Sequence, residues 1–95
     1  MGPDQIEMVE VAPRDGLQNE KTLIETADKI ALIERAIAAG SRRIEVTSFV
    51  NPKAVPQMAD AEAVCEGLPE RNDVTFIGLV MNARGATRAL ATGRI

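Results

Sequence analysis

The chain has no histidine, no tryptophan and no tyrosine, two phenylalanines, and one cysteine. Histidine is the largest omission, because catalysis at neutral pH leans on imidazole as base, proton shuttle or metal ligand. A chain without it works through carboxylates, lysine, arginine or a metal, or else is the incomplete part of an enzyme; incompleteness is the expectation here. With so few aromatics there is no stacking platform, and a net charge of −3 offers no basic surface, so nucleic acid is not expected as a partner. The longest apolar runs are far too short to span a bilayer, so no membrane is expected either. A lone Cys65 excludes an internal disulfide and fits a reducing compartment. MGPDQ enters the first strand without the apolar run of a signal peptide or the Arg/Ser-rich character of a transit peptide, and a cytoplasmic location is expected. What remains is ordinary globular composition, 45% hydrophobic and 26% charged over 95 residues.

The stretch that organises the chain is Ile6–Glu20, IEMVEVAPRDGLQNE. It reads as a strand, Ile6–Val11, that stops at Pro13 and delivers Arg14-Asp15-Gly16-Leu17-Gln18 to the strand's exit. Proline lacks the N–H a sheet ladder needs, and Gly16 permits a sharp backbone path. An arginine fixed beside a carboxylate can hold an anionic substrate oxygen with one group and a cation with the other. A polar turn containing an Arg-Asp pair with no further role accounts for the same spacing.

Downstream, strands and helices alternate. Asn19–Glu25 reads as a polar loop and Thr26 as the N-cap of a helix over Ala27–Ala39, with Asp28 in its first turn. Ile30, Ile33 and Ile37, widened by Leu32 and Ala36, form its apolar stripe; Lys29, Glu34 and Arg35 face outward, and Gly40 ends it. A second strand, Arg43–Thr47, exits through Ser48-Phe49-Val50-Asn51-Pro52, and a helix over Ala59–Glu66 closes at Gly67. The third strand, Val74–Val80, is a continuous apolar run of the kind covered on both faces. It exits at Met81-Asn82 into an alanine-rich helix, Ala83–Thr92, capped by Gly93; Arg94-Ile95 reads as the beginning of a fourth strand. This β-α-β-α-β-α-(β) order, with a spacing near ~30 residues per unit, implies a parallel sheet. Three βα units and the start of a fourth strand make just under half of a TIM (β/α)8 barrel, which needs roughly 250 residues; a doubly wound sheet is the other topology the order permits. No internal domain boundary is visible, so residues 1–95 read as one partial domain.

The PRDGLQNE run, together with the later IEVTSFVNPKAVPQMAD, closely resembles hydroxymethylglutaryl-CoA lyase, in the metal-dependent lyase and synthase superfamily built on a TIM barrel. The match runs from Val9 to Asp60 and continues more loosely beyond. A weaker form of the first motif is shared with related aldolases and isopropylmalate-synthase-like enzymes. The resemblance implies cleavage of 3-hydroxy-3-methylglutaryl-CoA, an acyl-CoA substrate, to acetyl-CoA and acetoacetate, with a divalent cofactor, Mg²⁺ or Mn²⁺. Asp15 matches a metal ligand that is joined in the family by two histidines and an asparagine from later strands, none present here.

In a parallel barrel the strand exits build the site, and neighbouring strands lie ~4.8 Å apart, so side chains from adjacent exits can converge. The resemblance casts Arg14 as electrostatic catalyst, Asp15 as metal ligand and Glu45 as the catalytic support that orients Arg14; Gln18, Ser48 and Asn82 are the substrate-binding candidates. Glu45, in a strand covered on both faces, needs a partner, and a purely structural ion pair with Arg14 would satisfy it equally. Asn82, in LVMNARG, matches a position usually written Pro-Asn-x-Lys-Gly, with Met81 and Arg84 departing from it. Arg84 and Arg88 read as an ordinary solvated face. The family's catalytic cysteine lies in a glycine-rich loop late in its chain; Cys65, on a helix beside Val64, reads as a small buried hydrophobe instead. Two rivals accompany this reading: a related retro-aldol or Claisen enzyme using the same turn, and a non-catalytic fragment that self-associates through an open edge at Val74–Val80. The complete form is expected to be a homo-oligomer.

Overall fold

A computed structural model describes residues 8–18 and 22–95. Ile6 and Glu7 of the expected first strand, and Asn19 to Lys21 of the polar loop, lie outside the described residues. The elements in chain order are a π-helical turn (Ala12–Gly16), α1 (Thr26–Ala38), β1 (Arg43–Ser48), a 3₁₀ turn (Pro56–Met58), α2 (Ala61–Glu66), β2 (Thr75–Leu79) and α3 (Ala83–Thr92). The α/β alternation is as the sequence predicts, with boundaries moved by one or two residues.

β1 and β2 pair in parallel, Arg43 against Thr75 through Glu45 against Ile77; the register then slips, so that Thr47 faces Gly78 and Ser48 faces Leu79. On the other side of β1, Glu10 bridges Ile44 in parallel, donating its N–H to the Arg43 carbonyl at 2.9 Å and accepting from Glu45 N–H at 2.8 Å. The expected first strand therefore occupies its place beside β1, but among residues 8–11 its pairing is confined to Glu10. The reason is local. The Glu10 carboxylate takes the Ala12 amide, and Pro13 stops the ladder. The amides of Arg14, Asp15 and Gly16 then all turn onto the Val11 carbonyl. Gly16 has no positive φ, so this turn does not use the glycine freedom the sequence suggested. Gly93 does, closing α3 at φ +67°.

One apolar cluster holds the elements together: Ile33 and Ile37 from α1, Ile44 and Val46 from β1, Val64 and Cys65 from α2, Phe76 from β2 and Ala89 from α3, with Phe49 and Leu68 from the connections. α2 touches α1, β1 and α3, which makes it the middle of the helical layer. β2 is covered less than its apolar run suggested. Thr75 is exposed, Ile77 to Leu79 are half-buried, and Val80 is 40% exposed, because the described elements pack on one side of the strand only. No described helix is long and apolar enough to cross a membrane.

Two further expectations are corrected. Thr26 is not an N-cap. The cap position is Glu25, without a side-chain bond, and the Thr26 hydroxyl donates to Asp60 Oδ2 at 2.5 Å instead. Lys29 does not face outward. It is 3% exposed, its Nζ donating to the Gln57 carbonyl and to Asp60 Oδ1 at 2.6 Å. The Gln57 side chain completes the clamp, accepting from Ile24 N–H and donating to the Thr22 carbonyl, both at 2.8 Å. An ammonium withdrawn from water needs such partners, and they come from a turn more than 25 residues away.

Removing one partner of a buried ion pair typically costs ~3–5 kcal/mol; because Asp60 remains a quarter exposed, Asp60→Asn is expected to lose about 2 kcal/mol. Lys29→Met, which removes the charge and keeps the apolar stem, is expected to lose less. Urea denaturation of the two variants checks this, and a larger loss for Lys29→Met would contradict the stranded-charge account.

Candidate active site

The turn after Glu10 and the middle of β1 bring four of the six predicted residues together. Arg14 is the centre. Its Nε donates to Glu45 Oε1 across the gap between adjacent segments, and its Nη1 lies 3.3 Å from both Asp15 Oδ1 and Gln18 Oε1. One guanidinium thus meets two carboxylates and an amide oxygen, which spends its planar fork on fixing its orientation. Exposure is graded across the group: the Arg14 and Glu45 side chains are each 16% exposed, whereas Asp15 is 64% exposed. Arginine and glutamate form a half-buried base, and the aspartate presents its free oxygen to solvent.

The same arrangement explains the local fold. The Glu10–Ile44 bridge sets the Arg14 turn alongside β1, and the π-helical turn carries Arg14 back over Glu45. Glu45 is half-buried, not enclosed as in a strand covered on both faces.

Ser48 and Asn82 lie apart from this group in their bonding. Ser48 is fully buried at the end of β1, and its Oγ has no hydrogen-bond partner among the described residues. A buried hydroxyl left unpaired is costly, so its place at a strand exit is informative. Asn82 caps α3, its Oδ1 accepting from Gly85 N–H at 2.8 Å. It lines a separate cleft of about 360 Å³ with Phe49, Asn51, Pro52 and Arg84.

Sequence reasoning missed the ionic groups that brace the neighbouring connections. Arg88 is half-buried, against its reading as a solvated residue: Nε and Nη2 bond the two Glu62 oxygens at 2.6 and 2.7 Å. This pairing holds the Glu62 carboxyl below its usual value, chiefly through the hydrogen bonds from Arg88, and raises the Arg88 guanidinium correspondingly. Arg84, by contrast, is exposed as expected. Residues 84 and 88 are four apart and share one helix face, so periodicity does not separate the two.

A hard divalent cation takes oxygen donors, and Asp15 suits it in kind. It does not suffice in number. Among the described residues no group of three His, Cys, Asp or Glu side chains converges on a common point.

A parallel segment that delivers charged side chains from its exit over the neighbouring strand is the layout of an α/β-barrel enzyme. Comparison with known proteins finds the chain similar to part of several acyl-CoA lyases. The chain is 52% identical over 91 residues to the 3-hydroxy-3-isohexenylglutaryl-CoA/hydroxy-methylglutaryl-CoA lyase of Pseudomonas aeruginosa, covering 96% of this chain and 30% of that protein. It is 48% identical to the mitochondrial hydroxymethylglutaryl-CoA lyase of Macaca fascicularis over 96% of this chain and 28% of that one. It is also 47% identical to the (R)-citramalyl-CoA lyase of Chloroflexus aurantiacus, over 95% and 32% of the respective chains. The crystal structure of the P. aeruginosa hydroxymethylglutaryl-CoA lyase superposes with a TM-score of 0.90 at 52% identity, over 96% of this chain and 30% of that one. A hydroxymethylglutaryl-CoA lyase solved with coenzyme A and 3-methylmalate superposes at 0.87 with 44% identity, over 90% and 28%. No protein-family profile matches the chain. The chain is homologous to the hydroxymethylglutaryl-CoA lyases and spans about three tenths of their length.

The comparisons correct one expectation. Relatives at 48% and 47% identity are named mitochondrial, so a cytoplasmic location does not follow from the sequence. A single thiol speaks only to reducing conditions, and those do not single out one compartment.

Cys65 is fully buried, and burial pushes its thiol above the usual range, which opposes formation of the reactive thiolate. Native protein is expected to react with a disulfide reagent at pH 8 at least about a hundredfold more slowly than protein in denaturant. Equal rates would show the thiol to be accessible.

Proposed function

We propose that residues 1–95 form part of the barrel domain of a divalent-metal-dependent carbon–carbon lyase that cleaves 3-hydroxy-3-methylglutaryl-CoA to acetyl-CoA and acetoacetate. The observation that carries this reading is the Arg14 guanidinium, held by Glu45 at a strand exit with the exposed Asp15 beside it. In the reaction a base takes the proton of the tertiary hydroxyl, and the alkoxide collapses to the ketone of acetoacetate. The carbon–carbon bond breaks, and the electron pair leaves on the acetyl thioester as an enolate that is then protonated at carbon.

Arg14 stabilises the developing enolate oxygen, since a guanidinium remains charged at any working pH and presents donors in a fixed plane. Glu45 keeps that plane aimed and offsets its charge. Asp15 would supply one oxygen to Mg²⁺ or Mn²⁺, whose chemistry when bound is to lower the hydroxyl's pKa and orient the substrate's carboxylate end. Gln18 contributes a substrate contact beside Arg14; Ser48, whose unpaired hydroxyl is buried, is a candidate only where the β1 exit opens to substrate. Asn82, spent on capping α3, is a weaker substrate contact. The acyl-CoA is the small-molecule partner. Among the described residues β2 pairs on one edge only, which favours self-association of the 95-residue chain; the complete form is, separately, a homo-oligomer in this reading.

A second reading is favoured by one finding. The (R)-citramalyl-CoA lyase is 47% identical over nearly the whole chain. The same turn therefore suits another hydroxyacyl-CoA, and parallel assays with both thioesters decide between them.

The 95-residue chain is expected to show no turnover of 3-hydroxy-3-methylglutaryl-CoA with Mg²⁺ or Mn²⁺, because Asp15 alone does not make a metal site; turnover by purified protein would overturn this. Within a complete barrel carrying these residues, Arg14→Lys is expected to lower kcat about a hundredfold with little change in KM, since lysine keeps the charge and loses the fork. A loss confined to KM would make Arg14 a binding residue only.

A further inference from the structure

Arg88 ties three parts of the chain together. From α3 it grips Glu62 of α2 with Nε and Nη2, and its Nη1 donates to the Val50 carbonyl at 3.0 Å. Its guanidinium carbon lies 5.6 Å from the centroid of the Phe49 ring, within cation–π range. Phe49 and Val50 are the first two residues after β1, so a side chain from α3 is bonded to the exit of the neighbouring strand.

Phe49 is held by other contacts as well. Phe49 N–H donates to the Leu79 carbonyl of β2 at 2.8 Å. A Cβ at Gly85 would approach the Phe49 carbonyl oxygen to 2.5 Å, and one at Gly78 would approach Phe49 Cε2 to 2.7 Å. Both glycines are therefore fitted around Phe49, whose position leaves little slack. Immediately before it stands Ser48, the residue with the unpaired buried hydroxyl.

We propose that Arg88 is a positioning residue: by bonding the Val50 carbonyl and lying over Phe49, it fixes the β1 exit and with it the aim of the Ser48 hydroxyl. The proposal rests on the lyase reading where it gives Ser48 a substrate to meet. Arginine suits this role because one planar group serves Glu62 with two nitrogens and keeps the third for Val50. A lysine supplies one point of charge and cannot hold all three partners. The plainer account, a brace between α2 and α3, needs only the contact with Glu62.

The two accounts separate in the 95-residue chain by amide hydrogen exchange read beside urea denaturation. The variants are Arg88→Ala, Arg88→Lys, and the charge swap Glu62→Arg with Arg88→Glu. If Arg88 positions the exit, Arg88→Ala speeds exchange at the Phe49 amide about tenfold or more beyond the change at Ile33 and Val64. The swap then restores the denaturation midpoint without restoring Phe49 protection, because a glutamate at 88 can neither donate to Val50 nor place a cation over the ring. Arg88→Lys likewise recovers midpoint more than protection, and it carries the comparison if Arg88→Ala does not fold. Exchange at Phe49 that rises only in step with the core, or a swap that restores both quantities, would overturn the proposal. No turnover is measured, so a failure here leaves the lyase reading intact, and a failed activity assay leaves this result readable.

Discussion

An ammonium taken out of water must be met by oxygen, and Lys29 imposes that demand on the middle of the chain. Its partners are the Gln57 carbonyl and the Asp60 carboxylate, both in the turn that leads into α2. Gln57 in turn reaches across to Thr22 and Ile24 with its side chain, and Asp60 takes the Thr26 hydroxyl. The start of α1 and the approach to α2 consequently behave as one block. Each of these segments follows a strand exit, so the block also fixes where the chain goes after Arg14 and after β1. The apolar cluster of Ile33, Ile44, Val64 and Phe76 supplies most of the burial. It is non-directional, however, and the buried charge decides which turn meets which helix.

The same logic, with less burial, operates at the candidate site. Arg14 is anchored by Glu45 and flanked by Asp15 and Gln18, so its orientation is set before any substrate arrives. A site that must stabilise charge as it develops benefits from groups already in place, because reorganisation then costs little at the moment of reaction. Around that site the braces are ionic as well: Arg88 on Glu62 and Val50, and Lys29 on Asp60. A chain with almost no aromatic side chains fastens its connections with long cationic ones.

The order of elements was legible because it depends on periodicity and punctuation: the Ile33–Ile37 stripe, the β-branched run at Arg43–Thr47, and Gly93 after α3. The Arg14–Glu45 contact was legible because a carboxylate flanked by Ile44 and Val46 had to have a partner, and one arginine stood at the adjacent exit. Lys29 and Arg88 were not legible. Long cationic side chains carry apolar stems, so position on a helical wheel does not say where the charged end finds its oxygen. Their partners lie 26 to 38 residues away in the chain, and no local pattern reports such a distance. Thr26 failed for a related reason: an oxygen suited to capping a helix is equally suited to donating to a carboxylate brought in by the fold. The coverage of β2 was overestimated because an apolar run reports what a strand can bury, not what the described elements place against it.

The slip in register within β1 has a geometric effect that alternation along a strand conceals. Glu45 faces Ile77 and Ser48 faces Leu79. Ile77 and Leu79 are two residues apart and point to the same side of the sheet. Glu45 and Ser48 are three apart and would point to opposite sides of an unbroken strand, yet the extra residue at Val46 turns an odd interval into an even one. The carboxylate that holds Arg14 and the hydroxyl that lacks a partner therefore share one side of the sheet. A single inserted residue puts Ser48, in place of Thr47, on the surface that already carries Arg43 and Glu45.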